Sequence, residues 1–142
     1  RQINLLDPNS RACLGEDAKE DRILGVLPFF HVLANAAVLN RTINNGGQIV
    51  MLPRFDAKDA LAAVNRCDVT SMPGVPTMYQ ALLDHPDLAK TDFSHMRACI
   101  SGGAPLAGEL KARFEAAAGA RVIEGYGLTE SSGVICCNPY DG

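Results

Sequence analysis

An α/β fold with a mostly parallel sheet is the architecture this sequence predicts. From Arg22 onward, short apolar runs alternate with longer amphipathic ones, strand then helix. The runs stop abruptly at Pro or Gly. Glycine-rich segments follow the later short runs, at Ser101–Pro105 and Gly125–Gly127.

The elements read in order as follows. Arg22–Leu27 is an apolar run stopped by Pro28, a buried strand. Phe30–Asn44 is helical, with Leu33, Ala36, Ala37 and Asn40 on one face and Asn45-Gly46-Gly47 as its stop. Gln48–Leu52 is a second strand, ended by Pro53. Asp56 caps a helix that buries Ala57, Leu61 and Val64. Val69–Met72 is a weak third strand, ended by Pro73-Gly74. Thr77–Asp84 is a helix, stopped before the turn His85-Pro86-Asp87. Met96–Ile100 is a fourth strand, running into Ser101–Pro105. Ala107–Ala118 is the clearest helix: Leu106, Leu110 and Phe114 form a stripe, Glu109 can pair with Arg113, and Gly119 ends it. The other charges of this helix, Glu115 among them, read as a solvated face. Arg121–Ile123 begins a fifth strand. The sum is a parallel sheet of about five strands with right-handed crossovers, a flavodoxin-like or Rossmann-like subdomain. Residues 1–20 are polar, with a turn at Asp7-Pro8-Asn9-Ser10, and read as an irregular lead-in to a single unit spanning residues 1–142.

Composition narrows the function. The chain has 142 residues, 47% apolar and 20% charged, enough for one domain with a core. A net charge of −3 gives no electrostatic basis for a nucleic-acid partner. No apolar stretch is long enough to span a bilayer, and no basic-then-apolar signal segment occurs. The five cysteines show no Cys-x-x-Cys spacing, against structural zinc, and the odd count favours reduced thiols in a cytoplasmic protein. Cys67 and Cys99 read as packing residues, whereas Cys136 and Cys137 would face opposite sides of a strand. The first residue is Arg1 rather than Met, and the sequence stops at Gly142 after an apolar run; a piece of a longer protein is expected.

The stretch Arg121–Glu130 carries the most chemistry. Gly125 and Gly127 let backbone approach a flat or anionic ligand. Tyr126 offers an aromatic face for a base, and the Thr129 hydroxyl suits a phosphate oxygen. Glu130 is a hard oxygen donor of the kind Mg²⁺ accepts when it also bridges phosphates. Together these suggest a nucleotide site. Ligands of open α/β sheets gather at the carboxyl ends of strands. Four such loops are expected to converge there: Pro28–His31, Pro73–Thr77, Ser101–Pro105 and Gly125–Glu130. Blander readings stand beside each. A lone His after a strand is usually structural, Gly102-Gly103 is also a tight turn, and Thr129 and Glu130 have capping of a following helix as the rival to their ligand role.

Three segments in order resemble the adenylate-forming enzymes: Leu27-Pro28-Phe29-Phe30-His31-Val32, Ser101-Gly102-Gly103-Ala104-Pro105-Leu106 and Gly125-Tyr126-Gly127-Leu128-Thr129-Glu130. The resemblance is to the acyl-CoA synthetase branch of that AMP-binding superfamily. It covers the chain from Arg22 onward and implies the central part of a large N-terminal ligase domain. The family activates a carboxylic acid, here expected to be fatty, with Mg²⁺-ATP, releases pyrophosphate, and passes the acyl group to coenzyme A. By resemblance, Gly102, Gly103, Ala104 and Pro105 border the adenine with Glu124, Gly125 and Gly127, and Tyr126 stacks on it. Thr129 holds a phosphate and Glu130 the metal, both in catalytic roles together with His31 near the acyl carboxylate. Val75, Pro76 and Thr77 lie beside the acyl tunnel.

The family's Ser/Thr/Gly-rich phosphate loop would precede Arg1. Its Thr-Gly-Asp segment and the small C-terminal domain with the catalytic lysine would follow Gly142. The isolated chain is therefore expected to be inactive. A non-catalytic nucleotide-binding module of flavodoxin-like fold is the alternative. Peripheral membrane contact of a parent protein is compatible with the sequence, which says nothing of oligomeric state.

Overall fold

The computed structural model describes residues 21–139, so the expectations for residues 1–20 lie outside the described residues. Six strands form one sheet in the order β2-β1-β3-β4-β5-β6. They are β1 Arg22–Gly25, β2 Gln48–Met51, β3 Ser71–Gly74, β4 Ala98–Ser101, β5 Arg121–Leu128 and β6 Gly133–Cys137. The first five are parallel, and β6 is antiparallel to β5. The α/β expectation holds, with one more strand than expected. The fifth strand does not break after Ile123 but continues through Gly125-Tyr126-Gly127 to Leu128. It pairs there with β6, so Tyr126 stands on a strand rather than in a loop.

The helices are α1, a continuous helical segment made of Val32–Ala34, Asn35–Asn40 and Arg41–Asn45, then α2 Ala57–Cys67, α3 Pro76–Leu83 and α4 Gly108–Ala118. A short 3₁₀ turn, Pro86–Lys90, occupies the place of the expected His85–Asp87 turn. Asp56 caps α2 through a bond from the Asp59 amide, and Gly119 ends α4 in the left-handed conformation. Pro73 and Gly74 lie inside β3 rather than beyond it. Proline withholds a ladder donor there. The buried Tyr79 hydroxyl reaches the carbonyls of Met72 and Ile100 at 2.8 and 3.0 Å beside it. Its ring meets Phe114 edge-on at 5.0 Å.

Two faces of the sheet are covered. On one, Leu61 and Val64 of α2, Met78, Tyr79 and Leu82 of α3, and Phe114 of α4 pack with Leu24, Met72, Cys99 and Val122. Burial there pushes the Cys99 thiol up to about 12, so it is a packing group and no nucleophile. On the other face lie Ile23, Ala34, Ala36 and Val38, all buried and all outside that cluster. The side chains over Gly25 are Ile49, Phe29 and Val38. The face that α1 buries is Ala34, Ala36, Val38, Arg41 and Thr42; of the expected Leu33, Ala36, Ala37 and Asn40, Ala36 is buried and the others are half-buried. The reason is its winding. Asn35–Asn40 is π-helix, which has more residues per turn than the 3.6 assumed in reading the sequence.

At the amino edge of the sheet a buried ion pair ties three elements together. Asp21 Oδ2 accepts from Arg41 Nη2 at 2.7 Å, and its Oδ1 takes the Thr70 hydroxyl at 3.3 Å. Arg97 approaches the same carboxylate at 3.7 Å. Burial, only partly offset by Asp21, lowers the Arg41 pKa from its ordinary value. On α4 the ion pair four residues apart is Lys111–Glu115 at 3.9 Å, in place of Glu109–Arg113. Glu115 is not merely solvated, because its Oε1 accepts the Val122 amide at 2.7 Å. Cys67, Cys99 and Cys136 are free thiols, whereas Cys137 is disulfide-bonded, a departure from uniformly reduced cysteines.

Removing one partner of a buried pair strands the other. Asp21→Ala is expected to cost about 3–5 kcal/mol. Tyr79→Phe, which keeps the ring contact and loses the hydroxyl, should cost about 1–3 kcal/mol. Urea denaturation of both variants checks this order.

Candidate nucleotide-binding rim

The loops after β1, β3, β4 and β5 leave neighbouring strands of the sheet at its carboxyl edge. Gly102 is where they meet. Its amide donates to Gly74 O at 3.1 Å. A Cβ placed on it would stand 3.3 Å from Leu33 Cδ2 at the start of α1 and 3.5 Å from Gly125 O on β5. Gly103 follows with φ +80°, a left-handed conformation that favours glycine, and a Cβ there would stand 3.5 Å from Val75. A side chain at Gly102 would press on the tip of the Leu33 side chain and touch the Gly125 carbonyl, so the tight turn and the junction coincide.

The β4 and β5 segments are locked in register, Ser101 beside Glu124. A side-chain bond reinforces the ladder: the Leu106 amide donates to Glu124 Oε1 at 3.0 Å. Glu124 therefore spans from β5 to the far end of the Gly102–Pro105 turn. Beyond it Tyr126 is 58% exposed, a large aromatic ring left uncovered on the rim. The two strand-end segments thus lie together, as expected from the sequence. Ala104 and Pro105 are exposed beside them.

Gly127 has a different cause. A Cβ there would lie 2.1 Å from Gly133 O, so its close approach is to its own hairpin, at the point where the β5–β6 register shifts. Thr129 and Glu130 cap no helix. They sit in the turn of that hairpin, which is held by Ser131 Oγ against Leu128 and Gly133. Both are exposed, and neither side chain has a hydrogen-bond or ion-pair partner among the described residues. Among the described residues no three His, Cys, Asp or Glu side chains gather as a metal cage. A lone free carboxylate at a loop tip suits Mg²⁺, which binds by one or two carboxylates together with phosphate oxygens.

His31 serves as the N-cap of α1, its Nδ1 accepting the Leu33 amide at 3.3 Å. That bond leaves Nε2 as the protonated nitrogen of the neutral ring, and the side chain is exposed. Val75 is half-buried, Pro76 occupies the first turn of α3 where its missing amide costs nothing, and Thr77 is exposed. Leu33, which fills the space over Gly102, and Ser131, which shapes the hairpin, escaped the sequence reading. Ser131 stood in plain view in the Ser-Ser-Gly that follows Glu130, a turn composition.

The sequence profile of the AMP-binding enzyme family matches residues 4–142. The chain belongs to the AMP-binding enzyme family. Among curated AMP-binding relatives, it is 42% identical over 124 residues to a long-chain-fatty-acid–CoA ligase of Bacillus subtilis (strain 168), covering 86% of this chain and 22% of the relative. A feruloyl-CoA synthase of an Amycolatopsis species is 37% identical over 115 residues, covering 81% and 23%. The crystal structure of ATP-bound MatB from Rhodopseudomonas palustris superposes with a TM-score of 0.79 at 37% identity, over 87% of this chain and 24% of that one. The chain thus spans about a quarter of the length of the AMP-binding proteins it matches.

Glu124→Ala should free the Leu106 amide. A hydrogen bond to a charged acceptor contributes about 1.5–3 kcal/mol, so exchange at Leu106 should quicken at least about tenfold. Glu124→Gln, which keeps an acceptor, should lie between the two. Amide hydrogen exchange resolved to this residue is the measurement.

Proposed function

We propose that this chain is the central part of the N-terminal domain of an AMP-forming carboxylic acid–CoA ligase. The observation that carries the reading is the junction at Gly102. There the Ser101–Pro105 turn, β5 with exposed Tyr126, and the His31 end of α1 come together at one rim. The family membership and the CoA ligases among the relatives support it. The share of their length that the chain spans supports a single subdomain of a larger unit.

The reaction joins two anions, a carboxylate and the α-phosphate of ATP. Donors and a cation must offset that repulsion as the new bond forms. In our reading Tyr126 stacks on adenine, with Gly102, Gly103 and Ala104 along its edge and Glu124 bracing that turn. The Thr129 hydroxyl donates to a phosphate oxygen. Glu130 holds Mg²⁺, which when bound neutralises phosphate charge. His31 presents Nε2–H to the acyl carboxylate. Val75, Pro76 and Thr77 border the path of the acyl group. Coenzyme A is the final acceptor. A fatty acid is the substrate we favour, on the 42% identity to the Bacillus long-chain ligase. No helix of the described residues is long and apolar enough to cross a membrane, which accords with a cytoplasmic enzyme that touches membranes at most peripherally. The chain by itself is inactive, because phosphate-loop and C-terminal groups of the family lie outside the matched segment. The non-catalytic nucleotide-binding module is the lesser reading, as nothing in it calls for His31 beside the rim.

Acid-dependent exchange of pyrophosphate into ATP by the parent protein tests the proposal. Thr129→Ala should slow it by about 10- to 150-fold, the equivalent of a charge-assisted hydrogen bond, and Glu130→Gln should weaken the Mg²⁺ dependence far more than it alters thermal stability. Exchange unaffected by both changes at saturating Mg²⁺-ATP would contradict these roles, and exchange by the 142-residue chain alone at the parent's rate would contradict its inactivity.

A further inference from the structure

The π-helical stretch of α1 contains a side-chain bond that only this winding allows. Asn40 Nδ2 donates to Asn35 Oδ1 at 2.8 Å, across five residues. In an α-helix, residues five apart point about 140° away from each other and cannot meet. A π turn, closing its hydrogen bonds from i to i+5, sets them nearly one above the other. The backbone agrees: the Arg41 amide reaches back to Ala36 O.

The two halves of α1 are anchored differently. The second half is fixed by the buried Arg41–Asp21 pair and by the Thr42 hydroxyl on Val38 O. The first half bears on backbone of the rim. Leu33 lies against Gly102, and Ala36 Cβ would be 3.5 Å from a Cβ on Gly133. His31 stands immediately before it as the cap. Reverting the π turn to α winding would rotate one half relative to the other by about 100° for the single residue gained. Leu33 would leave Gly102, and His31 would turn with it. Close-packed surroundings have little slack to absorb such a shift.

We propose that Asn35 and Asn40 are positioning residues for the carboxylic acid substrate: their hydrogen bond holds the π turn that sets His31 and Leu33 over the rim. This rests on the ligase reading above. His31 caps the helix end that turns with the winding, so the larger effect falls on the acid; the nucleotide side feels the pair only through the Leu33 side chain against Gly102.

The experiment uses the parent enzyme and acid-dependent pyrophosphate exchange with a panel of carboxylic acids of different widths. Asn40→Leu keeps the branching at Cγ and removes the donor. The KM for the acid should rise about five- to tenfold, the scale of one hydrogen bond, and the ranking of acids should change. The KM for ATP should rise by less than the KM for the acid. Asn35→Asp retains the acceptor for Asn40 and should behave as wild type. If Asn40→Leu does not fold, Asn40→Ser carries the same expectation. Unchanged acid KM and ranking in a folded variant would overturn the positioning role while leaving the ligase reading intact. Equal rises in the KM for acid and ATP, or a loss in Asn35→Asp matching that in Asn40→Leu, would overturn it too. A wild-type parent without any acid-dependent exchange would overturn the ligase reading itself, and the acid-positioning role with it.

Discussion

The pairing of β4 with β5, Ser101 opposite Glu124, is the constraint from which the candidate site follows. Parallel strands release their following loops at the same edge. This register therefore brings the start of one glycine-rich segment beside the start of the other. The Glu124 carboxylate then holds the Leu106 amide across the gap, so the turn and the strand move as one piece. Gly102 completes the joint: its amide donates to Gly74 O, and its bare Cα lies close to the Leu33 side chain and the Gly125 carbonyl.

The two edges of the sheet divide the work. The amino edge is stapled by Asp21, Arg41 and Thr70, a buried polar cluster that ties α1 to the strands. The carboxyl edge carries exposed groups without partners among the described residues, Thr129 and Glu130, and an uncovered Tyr126 ring. Unsatisfied exposed polar groups beside an aromatic face cost little in water and are available to a ligand. Between the edges, the apolar packing of α2, α3 and α4 on one face gives the rim a fixed base.

Much of this was legible in the residues. The Pro and Gly stops other than Pro73-Gly74, the Asp56 cap and the Leu110–Phe114 stripe mark strands and helices where they occur, because local sequence decides them. Three features were hidden. β5 reads as ending at Gly125 because two glycines normally interrupt a strand; the partner β6 supplies the ladder that carries it on. A period of 3.6 gives the wrong buried face for α1, where π winding rules. Glu115 reads as solvated until the fold places the Val122 amide beside it, and nothing local to Asp21 marks its buried pairing with Arg41. At the site, the strand pattern places the Ser101–Pro105 turn at the carboxyl edge of β4 beside β5, whereas the setting of Tyr126 on a strand and the braces Glu124–Leu106 and Asn35–Asn40 depend on contacts no local pattern encodes.

The most direct measurement is a crystal structure of the parent protein with AMP bound. The account predicts adenine lying against the Tyr126 ring, with its edge along the backbone of Gly102 to Ala104. Nucleotide bound elsewhere, with Tyr126 and that turn left uncovered, would contradict it.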